Sequence, residues 1–297
     1  MGFTINTNTA ATNAYRNLNM NQNAQAKSLE KLSSGLRINR AADDAAGLAI
    51  SEGLKNQVSG MTVAARNAQD GISVIQTAEG ALTEVHSILN RVRDLAVQAG
   101  NDSNNADSRA AISTEVKALG EELTRIGNST NFNGIDLLNS KAPAAGGDAV
   151  PTKLTFQIGA GGVAGNDQID VNLVDVAAIG KAVTDLAGTP AEGETAATGG
   201  FVSAAKALET IAALDEDIKT ISTARSELGA SQNRLESVTK SLNVSIENLS
   251  AAKSRITDTD MAVEMASFTR SQILSQAGTA MLAQANQMNS GVMQLLQ

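Results

Sequence analysis

The 297 residues could build a sizeable core, yet they include no Trp, one Tyr and five Phe. Ala, Leu, Ile, Val and Met must therefore fill the interior, which suits helix packed on helix. A net charge of −8, from 23 Lys+Arg against 31 Asp+Glu, excludes the electrostatic footprint of a nucleic-acid binder. The absence of Cys removes disulfides, thiolate metal sites and Cys nucleophiles together.

The opening Met1-Gly2-Phe3-Thr4-Ile5-Asn6 has neither the basic n-region nor the apolar h-region of a secretory signal, and Asn6 breaks the myristoylation pattern. Only Arg16 is charged between Met1 and Ala26. Ala11, Tyr15, Leu18, Gln22, Gln25, Leu29, Leu32 and Leu36 step by four and three, which predicts a helix with one apolar stripe. A second stripe follows at seven-residue intervals: Leu54, Met61, Ala68, Ile75, Leu82, Leu89 and Ala96. A repeat kept this long needs a covering helix. The run Gly100-Asn101-Asp102-Ser103-Asn104-Asn105 breaks it, and another helix is expected over about 107–128. Ser129-Thr130-Asn131-Phe132-Asn133-Gly134 then turns the chain.

All three prolines, Pro143, Pro151 and Pro190, lie in the middle of the chain, as does a glycine cluster that includes Gly159, Gly161, Gly162 and Gly165. Proline-free flanks suit uninterrupted helices. Within the middle, residues 153–158 and 168–174 alternate apolar with polar, so a β-hairpin is expected over about 150–176. Residues 178–202, rich in Gly, Ala, Thr and Glu, read as a short variable insert. Leu214, Ile221, Leu228, Leu235, Leu242, Leu249 and Ile256 form a second long stripe, a rod of roughly 65 Å at about 1.5 Å per residue. From Ser271 to Gln297 no residue is charged, while Leu274, Gly278, Met281, Ala285, Met288, Val292 and Leu295 keep a heptad. Solvated helix faces normally carry Glu and Lys. These ends therefore read as built for burial among other copies. The fold class expected is mainly α: a long antiparallel helical bundle, or coiled-coil rod, from both chain ends with a small central β-hairpin region.

Enzymatic chemistry lacks an inventory. His86 is the only histidine and reads as a partly buried helix residue. The adjacent Asp43 and Asp44 point in different directions on a helix, so they read as ion-pair partners of Arg37 and Arg40. The glycine cluster lacks the Lys-Ser/Thr of a P-loop and reads as a hairpin loop. No cofactor is expected. No stretch approaches 18 apolar residues, so no membrane insertion is expected either.

Three segments carry a resemblance. Leu32-Ser-Ser-Gly35-Leu36-Arg37-Ile38-Asn39-Arg40-Ala-Ala-Asp43-Asp44-Ala-Ala-Gly47-Leu48-Ala49-Ile50-Ser51 resembles the N-terminal signature of bacterial flagellins. Leu228-Gly229-Ala230-Ser231-Gln232-Asn233-Arg234-Leu235 and Ser271-Gln272-Ile273-Leu274-Ser275-Gln276-Ala277-Gly278-Thr279 resemble the C-terminal ones, and Ala283-Gln284-Ala285-Asn286-Gln287 continues the match. The resemblance implies an inner domain from residues 1–40 with 258–297, and a core rod domain over 41–257. It also implies a minimal form with almost no outer domain. Its implied function is a subunit that polymerises into the extracellular flagellar filament for swimming.

Polymerisation would use Leu18, Leu29, Leu32, Leu274, Met281, Ala285, Met288, Val292 and Leu295, with Arg37, Arg40, Asp43 and Asp44 as the inter-domain connector. Implied partners are other copies, an export chaperone on the C-terminal segment, filament cap and hook-junction proteins, and the vertebrate Toll-like flagellin receptor. Export would use the flagellar secretion apparatus without a cleaved signal peptide. Residues 89–98 are similar to the family's receptor-recognised patch, which points to Arg91, Leu95 and Glu115. Arg91 and Leu95, four apart, are expected to share a helix face. The alternatives are a hook–filament junction protein or, from another class, a coiled-coil surface protein.

Overall fold

The computed structural model describes residues 8–139, 153–188 and 199–295, with backbone only for 288–295. Pro143, Pro151, Pro190 and part of the expected insert lie outside these residues. The described elements are α1 (Thr9–Ser34), α2 (Ala45–Ala99), α3 (Ala106–Ser129), β1 (Asn131–Phe132), β2 (Ile135–Asp136), β3 (Lys153–Gln157), α4 (Ala164–Asp167), β4 (Gln168–Asn172), α5 (Val176–Ala187), α6 (Ala204–Thr257) and α7 (Met261–Leu295). The fold is mainly α, as the two heptad stripes require. The chain divides into two compact units, Met1–Ser59 with Ile246–Gln297, and Gly60–Ser245. The division falls inside α2 and α6 rather than at their ends.

In the unit Gly60–Ser245 the two stripes meet. Ala68, Ile75, Leu82, Leu89 and Ala96 of α2 are buried in one core with Leu214, Ile221, Leu228 and Leu235 of α6. Cross-links near one end and at the middle fix an antiparallel register: Arg93 Nε donates to Asp215 Oδ1 at 2.6 Å, and Arg225 lies 3.9 Å from Glu79. Two further rows of α2 are buried, Val85 and Val92 in one, and Val74 and Leu95 in the other. Within this unit α2 therefore presents apolar surface to more than one neighbour, and α3 supplies Ile112, Val116 and Leu123 to the same core.

α3 begins where Asn105 caps it, accepting the Ser108 N–H at 2.7 Å. It pairs antiparallel with α5, an amphipathic helix inside the segment read from sequence as a variable insert. Val176, Ile179, Gly180, Val183 and Ala187 of α5 are buried. The insert is therefore structured in its first half, because a hydrophobic face with 3.6-residue spacing found a surface to cover. Close approach at this crossing requires glycine. A Cβ on Gly180 would lie 2.6 Å from the Thr124 backbone nitrogen, and one on Gly120 would lie 2.9 Å from that of Thr184.

The turn after α3 is a two-residue hairpin, with Phe132 paired to Ile135. Asn133 and Gly134 both have positive φ, 52° and 79°, as a tight turn matched to strand twist requires. The expected central hairpin is β3–β4, paired antiparallel from Lys153↔Asn172 to Gln157↔Gln168. Its loop contains the single turn α4 and is closed by Asp167, whose carbonyl accepts from Ile158 N at 2.7 Å. Phe156 packs against Gly71 of α2, Asn67 donates to the Gln157 carbonyl at 3.0 Å, and Asn172 donates to Glu227 of α6 at 3.4 Å. The hairpin thus spans both long helices of this unit.

The stripe makes a stability contrast measurable. Leu235 is fully buried, whereas Lys240 is exposed. Leu235→Asp should cost about 4 kcal/mol or more, since it removes a buried side chain and inserts an unpaired charge. Lys240→Asp should change stability by less than about 0.5 kcal/mol. Thermal melts of the two variants check this, and equal melting temperatures would rule out the stripe as a packing seam.

Candidate assembly and recognition surfaces

α1 and α7 pair antiparallel in the unit that holds both chain ends. Lys31 lies 3.8 Å from Glu264, a Cβ on Gly278 would meet Leu18 at 3.3 Å, and Asn8 donates to the Ala285 carbonyl at 3.0 Å. Asn8 also caps α1 by accepting the Ala11 N–H. On α1 the wholly or partly buried residues are Ala11, Ala14, Leu18, Asn21, Gln25, Ser28 and Leu32, in an unbroken three–four spacing, with Glu30 and Lys31 beside it. On α7 they are Glu264, Ser267, Phe268, Ser271, Ser275, Gly278, Leu282 and Ala285. Both are heptad seams that keep one column of the stripe read in the sequence and replace the other.

The shift decides which side chains stay outside. Leu18 and Ala285 are buried and Leu32 is half-buried. Leu29 and Met281, expected in the same stripe, are 56% and 67% exposed, and Tyr15 and Leu274 are exposed as well. The side chains of Met288, Val292 and Leu295 lie outside the described residues. The physical reason is size. Ala14, Asn21 and Ser28 against Ser271, Ser275 and Gly278 let two backbones approach closely, and the large apolar column one residue away is left on the flank. Met20 and Ile273 are further exposed apolar residues absent from the stripe reading. Their signal was an apolar residue on the outer face of a helix segment with almost no charge. Exposed apolar surface on this scale marks an interaction site.

The connector is built differently from the expectation. Neither Asp43 nor Asp44 forms an ion pair with Arg37 or Arg40. Arg40 pairs with Glu30 at 2.7 Å, which also accepts from Asn39 at 3.1 Å. Arg37 donates through its backbone N–H to the Thr257 carbonyl at 2.7 Å and through Nη2 to the Ile256 carbonyl at 2.6 Å. Thr259 N returns a bond to the Gly35 carbonyl, and Leu36 forms a bridge with Asp258. The loop between α1 and α2 is thereby stitched to the turn between α6 and α7. Asp44 caps α2 by accepting Gly47 N–H at 2.8 Å. Asp43 accepts the N–H groups of Asn39 and Arg40 at 3.1 and 3.0 Å. Asp44 thus binds an amide of the helix start and Asp43 binds amides of the loop before it, and both sets of fixed N–H groups win over the flexible arginines.

The recognition residues separate by depth. Arg91 Nε and Nη2 both donate to Glu115 Oε1, at 2.9 and 2.7 Å, which ties α2 to α3 at the surface. Leu95 is only 2% exposed. It is a core residue rather than the exposed knob expected four positions from Arg91, because α2 buries three rows here and Leu95 falls on one of them. His86 is half-buried, with an unpartnered Nδ1. Among the described residues, no three His, Asp or Glu side chains gather as a metal site.

Comparison with known proteins decides the family. Residues 5–142 match the bacterial flagellin N-terminal helical region, and residues 211–296 match the bacterial flagellin C-terminal helical region. The chain belongs to the bacterial flagellin family. It is 50% identical over 293 residues to flagellin of Halalkalibacterium halodurans, covering 98% of this chain and 99% of that one. It is 47% identical over 307 residues to flagellin of Bacillus subtilis, with the same coverage. A solved structure of a Vibrio parahaemolyticus protein described as flagellar hook-associated shares the fold. That likeness has a TM-score of 0.55 at 16% identity, over 73% of this chain and 100% of that one.

Near-full-length identity to filament proteins places the chain as a structural subunit of the flagellar filament, a self-polymerising protein and not an enzyme.

The Asp43 geometry predicts a titration. The backbone N–H bonds from Arg40 and Asn39 hold its carboxyl below the ordinary aspartate range. A depressed folded value means that its contribution is present at neutral pH and is lost as pH falls through that value. The amide proton shifts of Asn39 and Arg40, followed by NMR, should titrate together with a midpoint below that of a free aspartate. Asp43→Asn should abolish the titration.

Proposed function

We propose that this subunit assembles through the outer apolar columns of α1 and α7, which meet the same columns of neighbouring copies in a helical polymer that drives swimming. The observation that carries the reading is the contrast within the terminal pair. Small residues fill much of the internal seam, while Tyr15, Leu274 and Met281 stay exposed in segments with almost no charge and Leu29 stays exposed beside Lys27 and Glu30. A charge-free flank adds no like-charge repulsion between copies, and burial of apolar surface drives association. On this reading residues 1–40 with 258–297 form the inner domain, 41–257 the core, and the polymer lies outside the cell. The continuation of the α7 stripe through Met288, Val292 and Leu295 belongs to the same surface. An export chaperone covers this C-terminal segment before secretion through the flagellar apparatus, and cap and junction proteins meet the polymer at its two ends.

Removing residues 271–297 should leave a soluble monomer that still holds the 60–245 unit but no longer polymerises. Seeded assembly followed by sedimentation measures this, and pelletable filaments at the parent's critical concentration would sink the reading.

We further propose that the monomer is recognised by the vertebrate Toll-like flagellin receptor at the surface around Arg91 and Glu115, with Leu95 as the buried support beneath. Two donors from one planar guanidinium held by Glu115 give a fixed, partly exposed anchor of the type found at interfaces. Arg91→Ala should lower receptor activation about tenfold, equivalent to about 1.4 kcal/mol, and Glu115→Ala less, with helix content unchanged. Leu95→Ala is a poor test, because truncating a buried leucine costs about 2–5 kcal/mol of stability by itself. Parent-like signalling by both surface variants would refute the assignment.

A further inference from the structure

Four of the protein's methionines, Met20 on α1 and Met261, Met265 and Met281 on α7, share one setting: each sits on a terminal helix with its side chain about half or more exposed. Met61 is the single half-buried methionine of the 60–245 unit. None of the four terminal side chains lies on the Ala11–Leu32 or Glu264–Ala285 seam. Their polarity can therefore change without breaking the α1–α7 pairing. A thioether is a soft, apolar group suited to irregular subunit contacts, and its sulfoxide is polar and needs a hydrogen-bond donor. From Ser271 onward no Lys or Arg is present, so a new oxygen on Met281 has no cationic donor in its own helix segment.

We infer that Met20, Met261, Met265 and Met281 are oxidation-sensitive positions that decide whether a subunit can enter the polymer. The inference rests on the assembly reading above. The oxidant is a two-electron oxidant that delivers an oxygen atom, hydrogen peroxide or hypochlorous acid. With peroxide, the sulfur lone pair attacks one oxygen, the S–O bond forms as the O–O bond breaks, and the departing oxygen takes a proton to leave as water. Sulfur loses two electrons and the peroxide gains them. Free monomer presents all four thioethers to this chemistry, whereas burial against neighbouring copies would shield them. A sulfoxide carried into such a contact leaves a polar oxygen without a partner, which opposes burial. These positions thus make oxidation of the monomer a block to assembly and assembly a protection from oxidation.

The test uses full-length monomer treated with hydrogen peroxide, quenched, and seeded, with the critical concentration read by sedimentation. Mass spectrometry maps sulfoxides, and circular dichroism follows helix content. Oxidation of the parent should raise the critical concentration at least about tenfold with helix content unchanged. The variant M20L/M261L/M265L/M281L should polymerise and lose the sensitivity, while the single variant M281Q, a polar mimic, should raise the critical concentration without oxidant. Normal assembly of the oxidised parent, persistent sensitivity in the leucine variant, or loss of helix on oxidation would each overturn the inference while leaving the assembly reading intact. Failure of the untreated parent to pellet would overturn both.

Discussion

The antiparallel seam between α2 and α6 is the constraint on which the 60–245 unit depends. Leucine, isoleucine and alanine repeat every seven residues on both helices, so neither can shed its apolar stripe into water without the other. A slip by one residue would put Asp215 where Leu214 now sits, Ser222 in place of Ile221 and Glu236 in place of Leu235. Arg93–Asp215 and Arg225–Glu79 are exposed or partly exposed pairs that add little energy but penalise such slips. The remaining elements of that unit are placed by surfaces that α2 and α6 leave uncovered. α3 packs on further rows of α2, α5 packs on α3, and β3–β4 lies across both long helices.

The α3–α5 crossing and the hairpin contact show a second economy. Large aromatic side chains are nearly absent, so close backbone approach has to supply much of the packing. Gly120, Gly127 and Gly180 bring α3 and α5 together, and Gly71 makes room for Phe156. Dispersion between closely packed backbones replaces the area that a tryptophan-rich core would bury.

In the unit formed by the chain ends the same heptad grammar is used to the opposite effect. The α2–α6 seam buries its largest side chains, whereas the α1–α7 seam mixes Leu18, Phe268 and Leu282 with Ala, Ser, Asn and Gly and leaves Tyr15, Leu29, Ile273 and Met281 outside. A monomer built this way leaves large apolar side chains exposed on both of its terminal helices. The stitched connectors, Arg37 to Thr257 and Gly35 to Thr259, set the register of this pair through backbone bonds, which do not depend on side-chain size.

The sequence by itself determined the helical class, the two long rods and the existence of the β3–β4 hairpin, because each rests on a period of seven or two sustained over many residues, and the breaks on either side marked the α3 span. It also carried the family, through motifs at both ends. What it could not settle was which of two adjacent columns on α1 and α7 faces inward. Columns one residue apart have the same period, and hydrophobicity alone selects the larger side chains, while the tertiary pairing selected the smaller ones. The same ambiguity hid the depth of Leu95, since a spacing of four from Arg91 does not reveal that α2 buries a third row there. Asp43 and Asp44 were read as partners of arginine because charge is visible in a sequence and unpaired amides are not. Only the folded chain shows that a helix amide lies beside Asp44 and that the loop before the helix brings its Asn39 and Arg40 N–H groups onto Asp43.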